Sequence, residues 1–313
     1  MDYMQKAWFY NEYGPRAVLQ YGDFPVPQLG DTQVLVRVRA AALNPVDFKL
    51  RNGVFKDTGL EFPVVPGCDV AGVIVDEGDN VSMFSKGDEV YGNIQSFNTV
   101  GPKQYGTLTQ YTAVEESLIA LKPENMSFEE AASFPLALQT AQEGFDRAKF
   151  QRGQTVFIVG GEGGVGSLAI QLAKYVYGAS KIATTTSPGK VDFVKKLGPD
   201  MVIDYTKKSY DQILEKFDFV FDTIGDSHRS YVVAKEEGKI IDIANSSPHP
   251  RAEFYIVTPS GSNLERLRSY IECEKLKPVI DPTGPYAFSN VMEAFKHLES
   301  GRARGKVVIS PID

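Results

Sequence analysis

The sequence predicts an α/β protein in two parts, an antiparallel barrel followed by a doubly wound parallel sheet. Up to about residue 125, short alternating strands are separated by Gly/Pro turns; from Ser127 on, helical segments alternate with short apolar strands. The stretch TVFIVGGEGGVGSLAIQLAKYVYG at 155–178 then joins a strand, a glycine-rich turn and a patterned helix without a break.

Taken in order, VLVRVRA (34–40), DVAGVIVDEG (69–78), KGDEVYG (86–92) and GTLTQYTAV (106–114) read as barrel strands. SFEEAASFPLALQTAQEGF is helical after a Ser127–Glu130 capping box, with Pro135 expected to kink or interrupt it. Strands follow at 155–159, 181–186, 201–205, 217–222, 239–244 and 254–258, with helical segments between them. After Ser262 come a helix, the Pro-rich KPVIDPTGPYAF, the helix SNVMEAFKHLESG and the strand KVVIS. The divisions expected are 1–126, 127–261 and 262–313.

The glycine-rich turn carries the first chemistry. Thr155 to Val159 suits a strand buried on both faces, and Val165, Leu168, Ala169, Leu172, Ala173 and Val176 recur at helical spacing up to Gly178. Gly161, Gly163 and Gly166 between them match G-x-G-x-x-G. Glycines there let backbone N–H groups and the positive helix end approach a pyrophosphate, so Gly163, Gly164 and Val165 are candidate contacts to a dinucleotide. About 20 residues beyond such a turn an acid accepts the ribose 2′-hydroxyl of NAD, whereas hydroxyls and a cation suit a 2′-phosphate. The residues here are KIATTTSPGK, with no acid. Thr185, Thr186, Ser187 and Lys190 therefore point to NADPH; the other reading has Ser187 as a helix cap and Lys190 solvated.

Composition narrows the class. The 313 residues are enough for two cores, and 33 Lys and Arg against 40 Asp and Glu give a formal charge of −7, which argues against a nucleic-acid partner. No apolar run approaches the roughly 18 residues of a membrane span, and MDYMQKAWFYNEYG has neither signal-peptide nor transit-peptide character. Only Cys68 and Cys273 are present, too few for a disulfide framework and consistent with a reducing compartment, and the cytosol is the expected location.

The motifs NPVDFK, PGCDVAGVIVDEG, KGDEVYG, GGEGGVG, DTIG and the terminal GKVVI, in this order, resemble the medium-chain dehydrogenase/reductase superfamily over essentially the whole chain. ALNPVDFK, FKDT and IDYTK are similar to its zinc-free quinone oxidoreductase branch, and within that to the plant-type NADPH-dependent alkenal/enone oxidoreductases. The resemblance implies a GroES-like amino-terminal fold completed by the last segment, a Rossmann domain, and an active site between the two. Zinc-dependent members use Cys and His ligands, but here Cys68 has no adjacent His, and His228, His249 and His297 all lie beyond residue 200. No metal is expected, and Cys68 reads as a small buried residue.

Asn44 suits the N-cap, Pro45 the first position and Asp47 the first turn of a helix that also carries Lys49. From the residues alone Lys49 stands between a solvated lysine and a site residue; the resemblance implies that it borders nicotinamide and substrate, making Lys49 and Asn44 the candidate catalytic pair. Tyr205, ending the third strand, is expected beside the 2′-phosphate, and Gly225 at the carboxyl end of the fourth. The resemblance places Thr140, Ile243 and Ala244 near nicotinamide.

The activity implied is NADPH-dependent reduction of the C=C bond of an enone or enal, with hydride added at the β-carbon and the resulting enolate protonated at the α-carbon. Quinone reduction is the enzymatic alternative, and a non-catalytic NADPH-binding sensor or scaffold is the alternative of another class. The expected partners are small molecules, not nucleic acid or membrane, and the chain is expected to be a monomer or a homodimer. The loops 93–106 and 246–262 are expected to shape the substrate pocket.

Overall fold

The computed structural model describes residues 3–96 and 104–313, so 97–103 of the expected pocket loop 93–106 lie outside the described residues. In chain order the elements are β1 (Met4–Phe9), β2 (Gln20–Pro25), β3 (Gln33–Leu43), α1 (Pro45–Arg51), β4 (Asp69–Glu77), β5 (Glu89–Asn93), β6 (Tyr111–Glu115), β7 (Ile119–Leu121), α2 (Phe128–Ala132) and α3 (Pro135–Arg147). There follow β8 (Thr155–Val159), α4 (Gly164–Tyr175), β9 (Lys181–Thr186), α5 (Val191–Lys196), β10 (Met201–Asp204), β11 (Phe217–Asp222), α6 (Ser227–Ser230), β12 (Ala234–Asp242), β13 (Ala252–Glu253), α7 (Gly261–Glu272), α8 (Val291–Glu299) and β14 (Val307–Ile309). The chain forms two compact units: Met1–Gln139 with Thr258–Glu272 and Pro278–Asp313, and Thr140–Val257 with Cys273–Lys277.

In the first unit an antiparallel sheet runs β14-β3-β4-β5-β7, with β6 also paired to β3, beside a β1-β2 hairpin. β4 pairs along nearly all of β3, so β6 and β14 share its other edge: Gln33–Arg37 pair with β6 and Ala41–Leu43 with β14. That register sets Val307 opposite Leu43 and brings Lys306 to Asn44, at the start of α1. Val34, Val36 and Val38, every second residue of β3, are fully buried with Val70, Ile74, Val90 and Phe295 in one core.

The capping box forms as expected, Ser127 N–H donating to Glu130 Oε2 at 2.9 Å and Glu130 N–H to Ser127 Oγ at 3.2 Å. Pro135 interrupts the helix: α2 ends at Ala132 and α3 restarts at Pro135 itself, where the missing N–H costs nothing.

The second unit is a parallel sheet in the order β10-β9-β8-β11-β12, with β13 beyond β12 at one edge. Phe157, Val220 and Ile240 of the central strands are buried in its core. The last strand differs from expectation, since only Ala252 and Glu253 pair with β12 and the expected strand at 254–258 is not formed. Side chains anchor that stretch instead of a ladder. The Tyr255 hydroxyl donates to the Thr140 carbonyl, and the Arg147 guanidinium lies 4.7 Å from the Tyr255 ring centroid. Strand β12 also begins earlier and ends earlier than the expected 239–244, leaving Ile243 and Ala244 in the turn after it.

Candidate functional site

In the second unit most of the candidate cofactor residues follow the carboxyl ends of β8, β9, β10, β11 and β12, the edge where ligands of a parallel sheet lie. The turn after β8 begins with Gly160 at φ +83, which Gly tolerates without strain. The turn folds tightly on itself. A Cβ on Gly161 would lie 2.2 Å from Thr184 Oγ1, and one on Gly166 would lie 2.1 Å from the Gly160 carbonyl oxygen. Gly163 differs: a Cβ there would meet nothing nearer than 3.6 Å. The first bond inside α4 is Ser167 N–H to the Gly163 carbonyl at 3.0 Å, so the N–H groups of Gly164, Val165 and Gly166 precede the intrahelical ladder. These donors and the helix dipole fit an anionic diphosphate.

At the end of β9 the structure sorts the expected hydroxyls. Thr184, Thr185 and Thr186 are all buried; Thr185 Oγ1 accepts the Gly160 N–H at 3.1 Å and so supports the turn. Ser187 and Lys190 are the half-buried polar residues that follow, and no side-chain cap bond ties Ser187 to the next helix. The N–H of Tyr205 donates to the Thr186 carbonyl at 3.3 Å and its side chain is exposed, so Tyr205 stands at this same edge. A residue not anticipated is also present: Glu162 Oε1 accepts the Ser187 N–H at 3.1 Å.

Two buried aspartates shape the turns after β11 and β12. Asp222 Oδ1 accepts the N–H groups of Ile224, Gly225 and Asp226 at 2.9–3.2 Å, and its Oδ2 accepts the Ser230 hydroxyl at 2.7 Å. Burial nevertheless pushes its pKa up. Asp242 Oδ1 likewise accepts from Ala244 and Asn245, both at 3.0 Å. Gly225, at φ +91, lies with its Cα face 3.5 Å from the Ala244 and Asn245 Cβ atoms, measured from an added Cβ. The Ile243 N–H donates to the Asp222 carbonyl at 3.0 Å, which joins the two turns. The structure thus brings together Gly225, Ile243 and Ala244, while Thr140 is buried in α3 under Tyr255.

In the first unit Asn44 is the N-cap of α1, in a capping box with Asp47, and its amide is also bound outside the helix. Asn44 Nδ2 donates to Asp69 Oδ2 at 2.9 Å, and Asn44 Oδ1 accepts from the Lys306 ammonium, which also lies 3.0 Å from Asp69 Oδ2. The helix start is held by Asp47, whose Oδ2 accepts the Asn44 N–H at 2.7 Å. Asp47 Oδ1 accepts from Cys68 Sγ at 3.1 Å. Burial pushes the Asp47 carboxyl up to about 6 and the Cys68 thiol well up, the latter further raised by Asp47 and Asp69. Two turns of α1 carry Lys49, half-buried, and Arg51, buried, whose Nη2 pairs with Glu299 Oε1 at 2.6 Å.

Comparison with known proteins places this geometry. The family described as "Alcohol dehydrogenase GroES-like domain" matches residues 30–124, and that described as "Zinc-binding dehydrogenase" matches residues 197–309. A 2-methylene-furan-3-one reductase of Solanum lycopersicum is 51% identical over 98% of this chain and 79% of its own length. The chain belongs to the medium-chain dehydrogenase/reductase superfamily.

Within this superfamily, the chain is also similar to an NADPH-dependent alkenal/one oxidoreductase of Arabidopsis thaliana, 49% identical over 98% of this chain and 80% of the relative. A solved quinone oxidoreductase from Coxiella burnetii superposes with a TM-score of 0.88 at 31% identity, covering 99% of this chain and all of that one. The Arabidopsis relative is chloroplastic, which overturns the expectation of a cytosolic location. An address is read from a targeting segment, and the composition of the folded part does not carry it. Among the described residues no helix is long and apolar enough to cross a membrane.

The description of the second family implies zinc, and the residues here do not fit it. Asp69 is committed to the Lys306 ammonium and to the Leu136 N–H, and the Cys68 thiol keeps its proton and donates a hydrogen bond to Asp47. Among the described residues no group of three or more His, Cys, Asp and Glu could hold a metal ion. A buried lysine already supplies the positive charge of this cluster.

Proposed function

We propose that this protein is an NADPH-dependent reductase of the C=C bond in α,β-unsaturated ketones and aldehydes. The observation that carries the reading is its 51% and 49% identity, over 98% of the chain, to a 2-methylene-furan-3-one reductase and an NADPH-dependent alkenal/one oxidoreductase. NADPH, when bound, supplies a hydride. The N–H groups of Gly164 and Val165 hold its diphosphate, with Gly163 leaving the approach open; Ser187, Lys190 and Tyr205 bind the phosphorylated ribose, and Gly225, Ile243, Ala244 and Thr140 lie toward nicotinamide.

Lys49 is the residue assigned to the developing charge. As the enone is reduced, negative charge arrives on its carbonyl oxygen, and an ammonium group or a hydroxyl hydrogen-bonded to it stabilises the enolate. Asn44 positions the start of α1 through Asp69 and Lys306, so it supports Lys49 from the same helix. None of the residues named here is assigned to the α-carbon, so in this reading its proton is taken from water.

Quinone reduction is the second reading, favoured by the likeness to the Coxiella burnetii structure. An NADPH-oxidation screen across small enals, ketones with exocyclic methylenes and quinones separates the two. Turnover on enals and enones supports the proposal; turnover on quinones alone replaces it, and tight NADPH binding without any turnover replaces it with a sensor or scaffold. The substrates are small molecules, and light scattering decides whether a monomer or a homodimer acts on them.

A further inference from the structure

The end of β9 lacks the acid that would accept a ribose hydroxyl, yet a carboxylate stands there. It comes from the glycine turn: Glu162, between Gly161 and Gly163, reaches the first residue after β9, and its Oε1 accepts the Ser187 N–H at 3.1 Å. Its second oxygen, Oε2, is shut off from solvent and has no hydrogen-bond partner among the described residues. A buried carboxylate oxygen without a donor is costly, so the site holds an unmet demand for a hydrogen-bond donor. Once the Glu162 side chain turns its carboxylate outward, a ribose hydroxyl answers that demand. A 2′-phosphate does the opposite, because it brings acceptor oxygens and negative charge beside a carboxylate and competes with it for the Ser187 N–H.

We propose that Glu162 is a specificity-determining residue for the cofactor, favouring an unphosphorylated adenosine ribose and so narrowing the preference for NADPH set by Ser187 and Lys190. The chain then accepts NADH as well as NADPH, and the Glu162 carboxylate gives up the Ser187 N–H when a 2′-phosphate binds. This rests on the dinucleotide reading given above, but it concerns a residue to which that reading assigns no role. Selection is a difference between two affinities, and a like charge placed against one ligand is as effective as a contact made to the other.

The test uses adenosine 2′,5′-bisphosphate and 5′-AMP, which carry the adenosine end with and without the 2′-phosphate and need no turnover. Calorimetric titration of the full chain and of Glu162→Gln measures both. Gln keeps an oxygen for the Ser187 N–H and removes the charge. The bisphosphate is expected to bind E162Q about fivefold to thirtyfold more tightly, with 5′-AMP unchanged or weaker, as loss of a like-charge neighbour implies. Glu162→Ala is expected to move the ratio in the same direction, and thermal melting identifies a variant that has failed to fold. An unchanged ratio in both folded variants, or weaker binding of the bisphosphate, overturns the role of Glu162 while leaving the dinucleotide reading in place. Failure of the wild-type chain to bind either nucleotide overturns both.

Discussion

A methyl group added to the glycine turn separates two roles that its glycines share. In Gly166→Ala the new Cβ would lie 2.1 Å from the Gly160 carbonyl oxygen and 3.0 Å from the Gly161 Cα, both of them backbone atoms. Neither can yield cheaply, and overpacking of this kind costs about 1–3 kcal/mol of stability. In Gly163→Ala the nearest atom is 3.6 Å away and φ is −76°, an angle alanine adopts freely. The fold therefore tolerates G163A, since the loss of a favourable N-cap residue is offset by a less flexible unfolded chain. Its methyl instead fills the approach to the N–H groups of Gly164 and Val165. If it costs the diphosphate one charge-assisted hydrogen bond, about 1.5–3 kcal/mol, the NADPH Kd rises about tenfold to a hundredfold. Urea unfolding and quenching of protein fluorescence by NADPH measure the two quantities on the same samples. A G163A protein that binds NADPH as the wild type does, or that loses as much stability as G166A, refutes the assignment of this turn.

Three further outcomes follow from named contacts. Lys190→Ala is expected to raise the NADPH KM by about tenfold to a hundredfold and to leave that for NADH nearly unchanged; equal losses would remove Lys190 from the 2′-phosphate site. Lys306→Met leaves Asp69 buried without its cation and is expected to cost about 3–5 kcal/mol, lowering the urea midpoint, while adding Asp69→Asn restores part of the loss; a neutral single variant would contradict the cluster. Asp47, ordinarily near 3.8 and pushed up to about 6 by burial, binds its proton more tightly folded than unfolded, so its contribution is present below pH 4 and is lost as pH rises to 6. Unfolding free energy should fall by up to about 3 kcal/mol across that window, at about 1.4 kcal/mol per pH unit, and Asp47→Asn should flatten the slope.

The strand, turn and helix from Thr155 to Tyr175 were legible because each is a local pattern: β-branched residues in a buried strand, glycines in the turn, and apolar residues at helical spacing. Pro135 was legible for the same reason, as its missing N–H acts within one turn of helix. The side chain of Asn44 was not. Local spacing made it the N-cap that it is, but its amide also binds Lys306, which lies 262 residues away and arrives only because β14 pairs with the end of β3. Glu162 escaped notice because it sits among glycines that define the motif, and its partner Ser187 lies 25 residues on. The stretch 254–258 failed in the other direction, since an apolar extended pattern fits a strand equally well whether or not a neighbour is there to pair with it.

The central claim is that the double bond is reduced and the carbonyl kept. A carbonyl reduced directly concentrates charge on an alkoxide, which calls for a Lewis acid or a proton donor, whereas conjugate addition spreads it into an enolate that a cation such as Lys49 can hold. Turnover of an enone with NADPH deuterated on its transferring face, analysed by NMR and mass spectrometry of the product, tests this directly. Lys49→Ala should slow the same reaction by about tenfold to a thousandfold in kcat/KM. The expected product is the saturated ketone with deuterium on the β-carbon and solvent hydrogen on the α-carbon; an allylic alcohol, or deuterium on the carbonyl carbon, would contradict the claim.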